Sequence, residues 1–104
     1  MEEITKRLYG QDVLTLLPNG SIRLSTSLRD RVAPDGYVKV MYLDRHKCLV
    51  LVPGEYHRSH RVMGANPQIR MKTALARFGF KDWPDKPRRI TPRKVKNERA
   101  EFEI

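Results

Sequence analysis

Asn19-Gly20-Ser21-Ile22-Arg23-Leu24-Ser25-Thr26-Ser27-Leu28 returns 47 residues later as Asn66-Pro67-Gln68-Ile69-Arg70-Met71-Lys72-Thr73-Ala74-Leu75. Asn, Ile, Arg, Thr and Leu recur unchanged, and Leu24 is answered by Met71. Self-similarity at a fixed spacing points to one structural unit used twice. Both copies open on turn-forming residues, continue through a short strand and enter a helix. Two half-size units in 104 residues predict a pseudo-symmetric single domain spanning residues 1–104.

Outward from the first copy, Val13-Leu14-Thr15-Leu16-Leu17 reads as a strand. Pro18-Asn19-Gly20 turns it into Ser21–Leu24, a hairpin. Ser25 or Thr26 can cap the helix, because a short hydroxyl side chain accepts a free backbone N–H. Leu24, Leu28 and Val32 fall at i, i+4 and i+8, one face of about two helical turns. Pro34-Asp35-Gly36 ends that helix. Tyr37 to Leu43 alternates, with Val38, Val40 and Tyr42 on one side. Asp44-Arg45-His46-Lys47 is a polar turn, Cys48 to Val52 the returning strand, and Pro53-Gly54 its stop.

The second unit repeats this order with weaker strands. His57 to Met63 is a polar strand, Ala65-Asn66-Pro67 a turn, and Gln68 to Met71 the second strand. Lys72 to Phe78 reads as a helix with Met71, Ala74, Leu75 and Phe78 on one face, ended by Gly79. After the linker Lys81–Pro87, Arg88 to Arg93 is a strand interrupted by Pro92 and hence an edge. Lys96-Asn97-Glu98-Arg99 turns into Ala100–Ile104, where Phe102 and Ile104 point inward. The final strands align at an offset of 52, so the extra residues fall in the second linker. The units are therefore β-β-α-β-β repeats, about 12–53 and 55–104, in a mainly β chain with two short helices.

Composition narrows the function. No apolar run approaches the ~18 residues of a membrane span. The charged start, Met1 to Arg7, lacks the apolar stretch of a signal peptide. The lone Cys48 lies in an apolar run, where a buried, inert thiol is expected, and a cytoplasmic setting fits. The net charge is +9, and it is uneven. Residues 1–53 carry 8 basic and 6 acidic side chains, whereas residues 54–104 carry 13 and 6. Such a field draws polyanions, nucleic acid first and an acidic protein surface second.

The candidate contacts are Arg23, Arg29, Arg31, Arg70, Lys72 and Arg77, from the two strand-helix segments, and Arg88, Arg89, Arg93, Lys94 and Lys96, the densest basic run. Guanidinium groups position phosphates and pair with guanine edges. The competing reading makes the first six ordinary solvated charges. His57-Arg58-Ser59-His60 is too sparse for a metal site, having no cysteine pair and no four-ligand spacing. Trp83 reads first as a cover over the barrel end and second as a base-stacking platform or partner anchor. There is no Gly-rich phosphate loop, nucleophile motif or carboxylate pair in apolar surroundings, so neither an enzyme nor a cofactor is expected.

The run Leu16-Leu17-Pro18-Asn19-Gly20-Ser21-Ile22-Arg23-Leu24-Ser25-Thr26-Ser27-Leu28-Arg29, followed by Tyr37–Asp44 and Cys48–Pro53, resembles the AbrB-like swapped-hairpin domain. It differs in having Ser21 after the turn Gly and Ser25 at the helix start, where that family usually has Arg and Pro. The resemblance implies two units interlocking their hairpins into a small barrel, here in the tandem, MraZ-like form. It also implies a DNA-binding transcriptional regulator that favours double-stranded DNA. The hairpin is similar, too, to that of small phage and bacterial proteins. Two further readings stay open. One is a protein-interaction module, such as a phage-encoded inhibitor, that occupies an acidic or nucleic-acid-binding surface of a partner. The other is a single-stranded RNA binder. The polar second half leaves room for strand-edge pairing into a homodimer.

Overall fold

The computed structural model describes residues 11–56, 58–62 and 67–104. Strands β1 (Leu14–Leu16) and β2 (Ser21–Leu24) form the first hairpin. Its turn closes with Gly20 N–H donating to Leu17 O at 3.0 Å, and Gly20 takes φ +92°, a conformation open to glycine. Helix α1 (Thr26–Val32) begins at Ser25, whose Oγ accepts the N–H of Leu28 at 3.2 Å. The same Oγ accepts the N–H of Val13 at 3.0 Å and donates to Gln11 O at 2.9 Å. One hydroxyl thus fixes both the helix start and the approach to β1. Ser25→Ala is expected to lower unfolding stability by about 1–2 kcal/mol, from the cap and the orphaned Val13 donor. Urea denaturation reads this directly, and a change below about 0.3 kcal/mol would refute the double role.

Strand β3 (Tyr37–Leu43) leads through a 3-10 turn, Asp44–His46, into β4 (Cys48–Pro53). Next come β5 (His60–Arg61), β6 (Gln68–Arg70) and helix α2 (Lys72–Arg77). The chain finishes with β7 (Arg88–Ile90), β8 (Lys94–Lys96) and β9 (Arg99–Glu103). All pairings are antiparallel and make two sheets, β6-β2-β1-β7 and β5-β3-β4-β9-β8. The expected mainly β architecture with two short helices is therefore present. No closed barrel forms among the described residues. At Thr91-Pro92-Arg93 the missing proline N–H interrupts the ladder. β7 ends on one sheet and β8 on the other.

The core lies between the inner faces of the sheets. Leu14, Leu16, Ile22 and Leu24 of the first meet Val38, Leu49, Leu51, Ala100 and Phe102 of the second, with Leu28 and Val32 of α1. The α1 face falls where the sequence periodicity puts it. The α2 face does so only in part: Met71 and Leu75 are buried, but Ala74 is exposed and Phe78 is 66% exposed. The reason is helix length. The helix stops at Arg77, Gly79 turns with φ +111°, and Phe80 N–H returns to Leu75 O, so Phe80 enters the core instead. Trp83 covers this end, donating Nε1–H to Leu17 O and meeting Phe80 edge-on at 6.2 Å. Phe102 is fully buried, and Ile104 packs partly against the core. Of the polar strand expected at 57–63, His60–Arg61 is a strand, while residues 57 and 63 lie outside the described residues. The expected lead-in at 1–10 and the first residues of the turn at 65–67 lie outside them as well.

Candidate nucleic-acid interface

Side chains alternate across a strand, and residues directly opposite in an antiparallel pair share a face. In the four-stranded sheet Leu14, Leu16, Ile22, Leu24 and Ile69 take the core face. The intervening positions form a row on the other face: Arg89 opposite Thr15, Thr15 opposite Arg23, and Arg23 opposite Gln68. Arg70, opposite Ser21, stands in the next row of that face. Arg70, Gln68 and Arg89 are exposed and Arg23 half-buried, with the short Thr15 and Ser21 set low between them. Neighbouring strands lie roughly 4.8 Å apart, which puts Arg89 and Arg23 about 10 Å from each other. Three guanidiniums and an amide on one sheet surface, above the buried Thr15 and Ser21, can hold phosphates and address guanine and adenine edges.

At the β7 edge this face runs into an open groove of about 750 Å³. Arg45, His46 and Lys47 form one wall, Arg88, Arg89, Ile90 and Arg93 another, and Glu103 and Ile104 close it. Glu103 is the one carboxylate side chain among these lining residues. Lys47, in the left-handed region at φ 50°, pairs with Asp44 at 3.0 Å. That hydrogen bond and the Asp44 charge raise the ammonium pKa. Near the end of β3, beside this turn, burial raises the Tyr42 hydroxyl pKa, Lys47 opposing it and Asp44 adding to it.

The densest basic run of the sequence does not stay together. Pro92 parts Arg88 and Arg89 on one sheet from Lys94 and Lys96 on the other. Arg93 follows Pro92, its N–H donating to Glu101 O of β9, and lines the groove with Arg88 and Arg89. On the other sheet the two lysines line a smaller hollow with Arg99 and Glu101, and Arg99 Nε binds Glu101 at 3.0 Å. The helix candidates are also dispersed. Arg31 is bound by Asp12 at 2.8 Å and donates to Asn97 O at 2.9 Å, tying α1 to β1's approach and the β8–β9 turn. Arg29 pairs with Asp30 at 3.1 Å. Lys72 lies with Arg70 beside Asn19 and Gly20, and Arg77 is exposed in the last turn of α2.

Gln68 escaped the sequence reading because uncharged residues carry no signal until strand register assigns them a face. Arg45 and Lys47 escaped it because they belong to a turn about 40 residues away from Arg88. Among the described residues no three His, Cys, Asp or Glu groups gather as metal ligands. No described helix is long and apolar enough to cross a membrane.

Cys48 is 1% exposed, and burial raises its thiol pKa, helped by the Glu101 charge. The thiolate is the reactive form, so alkylation by iodoacetamide should be at least about 100-fold slower than for a free cysteine at neutral pH. It should recover that rate in denaturant; rapid native-state labelling would show Cys48 to be open. No protein-family model matches the chain, and neither a curated protein nor a solved structure does.

Proposed function

We propose that this chain is a nucleic-acid-binding protein that lays double-stranded DNA across the outer face of its four-stranded sheet, as a transcriptional regulator would. The observation that carries this reading is the row Arg89–Thr15–Arg23–Gln68 with Arg70 beside it. These residues come from both halves of the sequence and meet on one surface. A cation held on a sheet is fixed in position, so it can select a register on the duplex as well as add charge. The neighbouring groove cations enlarge the field that draws a polyanion to this side.

The register supports a tandem swapped-hairpin architecture. Ile22 stands opposite Ile69, its own counterpart in the second copy, with Ser21 opposite Arg70 and Arg23 opposite Gln68. Leu24 N–H donates to Pro67 O, and Met71 N–H, 47 residues on, donates to Gly20 O. A local two-fold through Ile22 and Ile69 accounts for both. It also accounts for each hairpin of the first half being flanked by strands of the second. The two sheets then correspond to a barrel opened at Pro92.

Fluorescence anisotropy with labelled duplex DNA, single-stranded DNA and RNA across a salt series tests the reading. Duplex affinity below about 1 μM near physiological salt, falling log-linearly with salt, supports it, and the slope gives the number of phosphates held. Absent or equal binding of all three at physiological salt would reduce +9 to a nonspecific charge.

A further inference from the structure

We propose that the open edge of β7 is a docking slot for an extended acidic peptide, which would add to the sheet as a further strand. Ser25 N–H donates to Val13 O, and Leu17 N–H to Ser21 O. Residues 13 and 17 of the first strand segment therefore direct their backbone toward β2. By alternation, Leu14 and Leu16 direct theirs toward β7, opposite Ile90 and Arg88. The same alternation leaves the N–H and C=O of Arg89 on the far side, where β7 has no strand partner among the described residues. In the other sheet the matching position is filled. There β3 pairs with β5 at Tyr37 and Val38, and with β4 at Val38 as well.

The groove along this edge selects its occupant by chemistry. A donor and an acceptor on one residue, without a partner among the described residues, suit a peptide backbone, which supplies both; a phosphate backbone supplies acceptors alone. Ile90 and Ile104 give apolar contact, and no aromatic residue lines the groove to stack a base. The cations on its walls call for carboxylates. An extended acidic peptide meets these demands, its backbone on Arg89 and its acids on Arg45, Arg88 and Arg93. Because Arg88 and Ile90 share one face of β7, the acidic face of the peptide meets both, its side-chain methylenes on Ile90. This site is separate from the row Arg23–Gln68 proposed for DNA, although Arg89 borders both.

The probe is a capped hexapeptide of alternating Glu and Ile, followed by anisotropy, with two versions carrying backbone N-methyl groups on alternate residues. The slot predicts that one methylation register weakens binding at least tenfold and the other less than threefold. Charge reversal of Arg88 and Arg93 to Glu should weaken the peptide at least tenfold, with an unchanged circular-dichroism melt confirming that the variant folds. Arg23→Gln with Arg70→Gln should leave peptide affinity within twofold while weakening duplex DNA, so the two proposals can fail separately. Equal loss in both methylation registers, no binding at millimolar peptide, or displacement of the peptide by a single-stranded oligonucleotide of equal charge at lower concentration would overturn the slot.

Discussion

Replacing Arg23, Arg70 and Arg89 together by Gln is expected to weaken duplex DNA binding by on the order of 100-fold or more at physiological salt. Each phosphate contact removed takes about 0.9 from the salt slope, so a triple loss should flatten it by up to about 3. The effect should exceed bulk charge loss because these three groups share one face of one sheet. The control removes the same charge elsewhere, with Arg58, Lys81 and Lys86 replaced by Gln. If both triples lose affinity equally, the sheet face is not the interface and the field alone attracts DNA. None of the three substitutions touches the core face, so the thermal melt should change little.

The largest effect on stability is expected at Phe102. It is fully buried and stands opposite Leu49, also fully buried, where the last strand joins the centre of the five-stranded sheet. Phe102→Ala should cost about 3–5 kcal/mol, from lost transfer energy and the cavity left behind. That is a large part of the ~5–15 kcal/mol that holds a typical domain together. Phe78→Ala supplies the contrast: the ring is 66% exposed, and the change should stay within about 0.5 kcal/mol. Urea midpoints at an unchanged slope would measure both. A cost below about 1 kcal/mol at Phe102 would mean that β9 is not part of the core.

The pair Phe78 and Phe102 shows how far local pattern reaches. At Phe102 alternation in a short strand decides the facing, because a strand has only two sides and Ala100 marks the inner one. At Phe78 the periodicity argument assumes one more helical turn than the chain makes. With Gly79 at φ +111° the backbone reverses, and Phe80 reaches the core that Phe78 was expected to enter. Helix length is a balance between weak propagation and tertiary contact, and spacing alone does not set it. Arg31 makes the same point for charge. In the sequence it is one more helix cation, but in the fold it is held by Asp12 and the Asn97 carbonyl.

By itself, the sequence determined most of the order of elements, though not the strand Lys94–Lys96, together with the turn at Gly20, a hydroxyl cap at Ser25 or Thr26, the interruption at Pro92 and the basic excess of the second half. All of these depend on neighbours a few residues apart, whose preferences are set by backbone sterics and short-range hydrogen bonds. Only the tertiary structure decided which cations stand together. Register brought Arg23, Gln68, Arg70 and Arg89 onto one sheet face. Arg93 lines the groove and Lys94 the smaller hollow on the other side, although the two are adjacent in the chain and both follow Pro92. The edge at Arg89, without a strand partner among the described residues, arose from a competition among long-range pairings that no local stretch encodes.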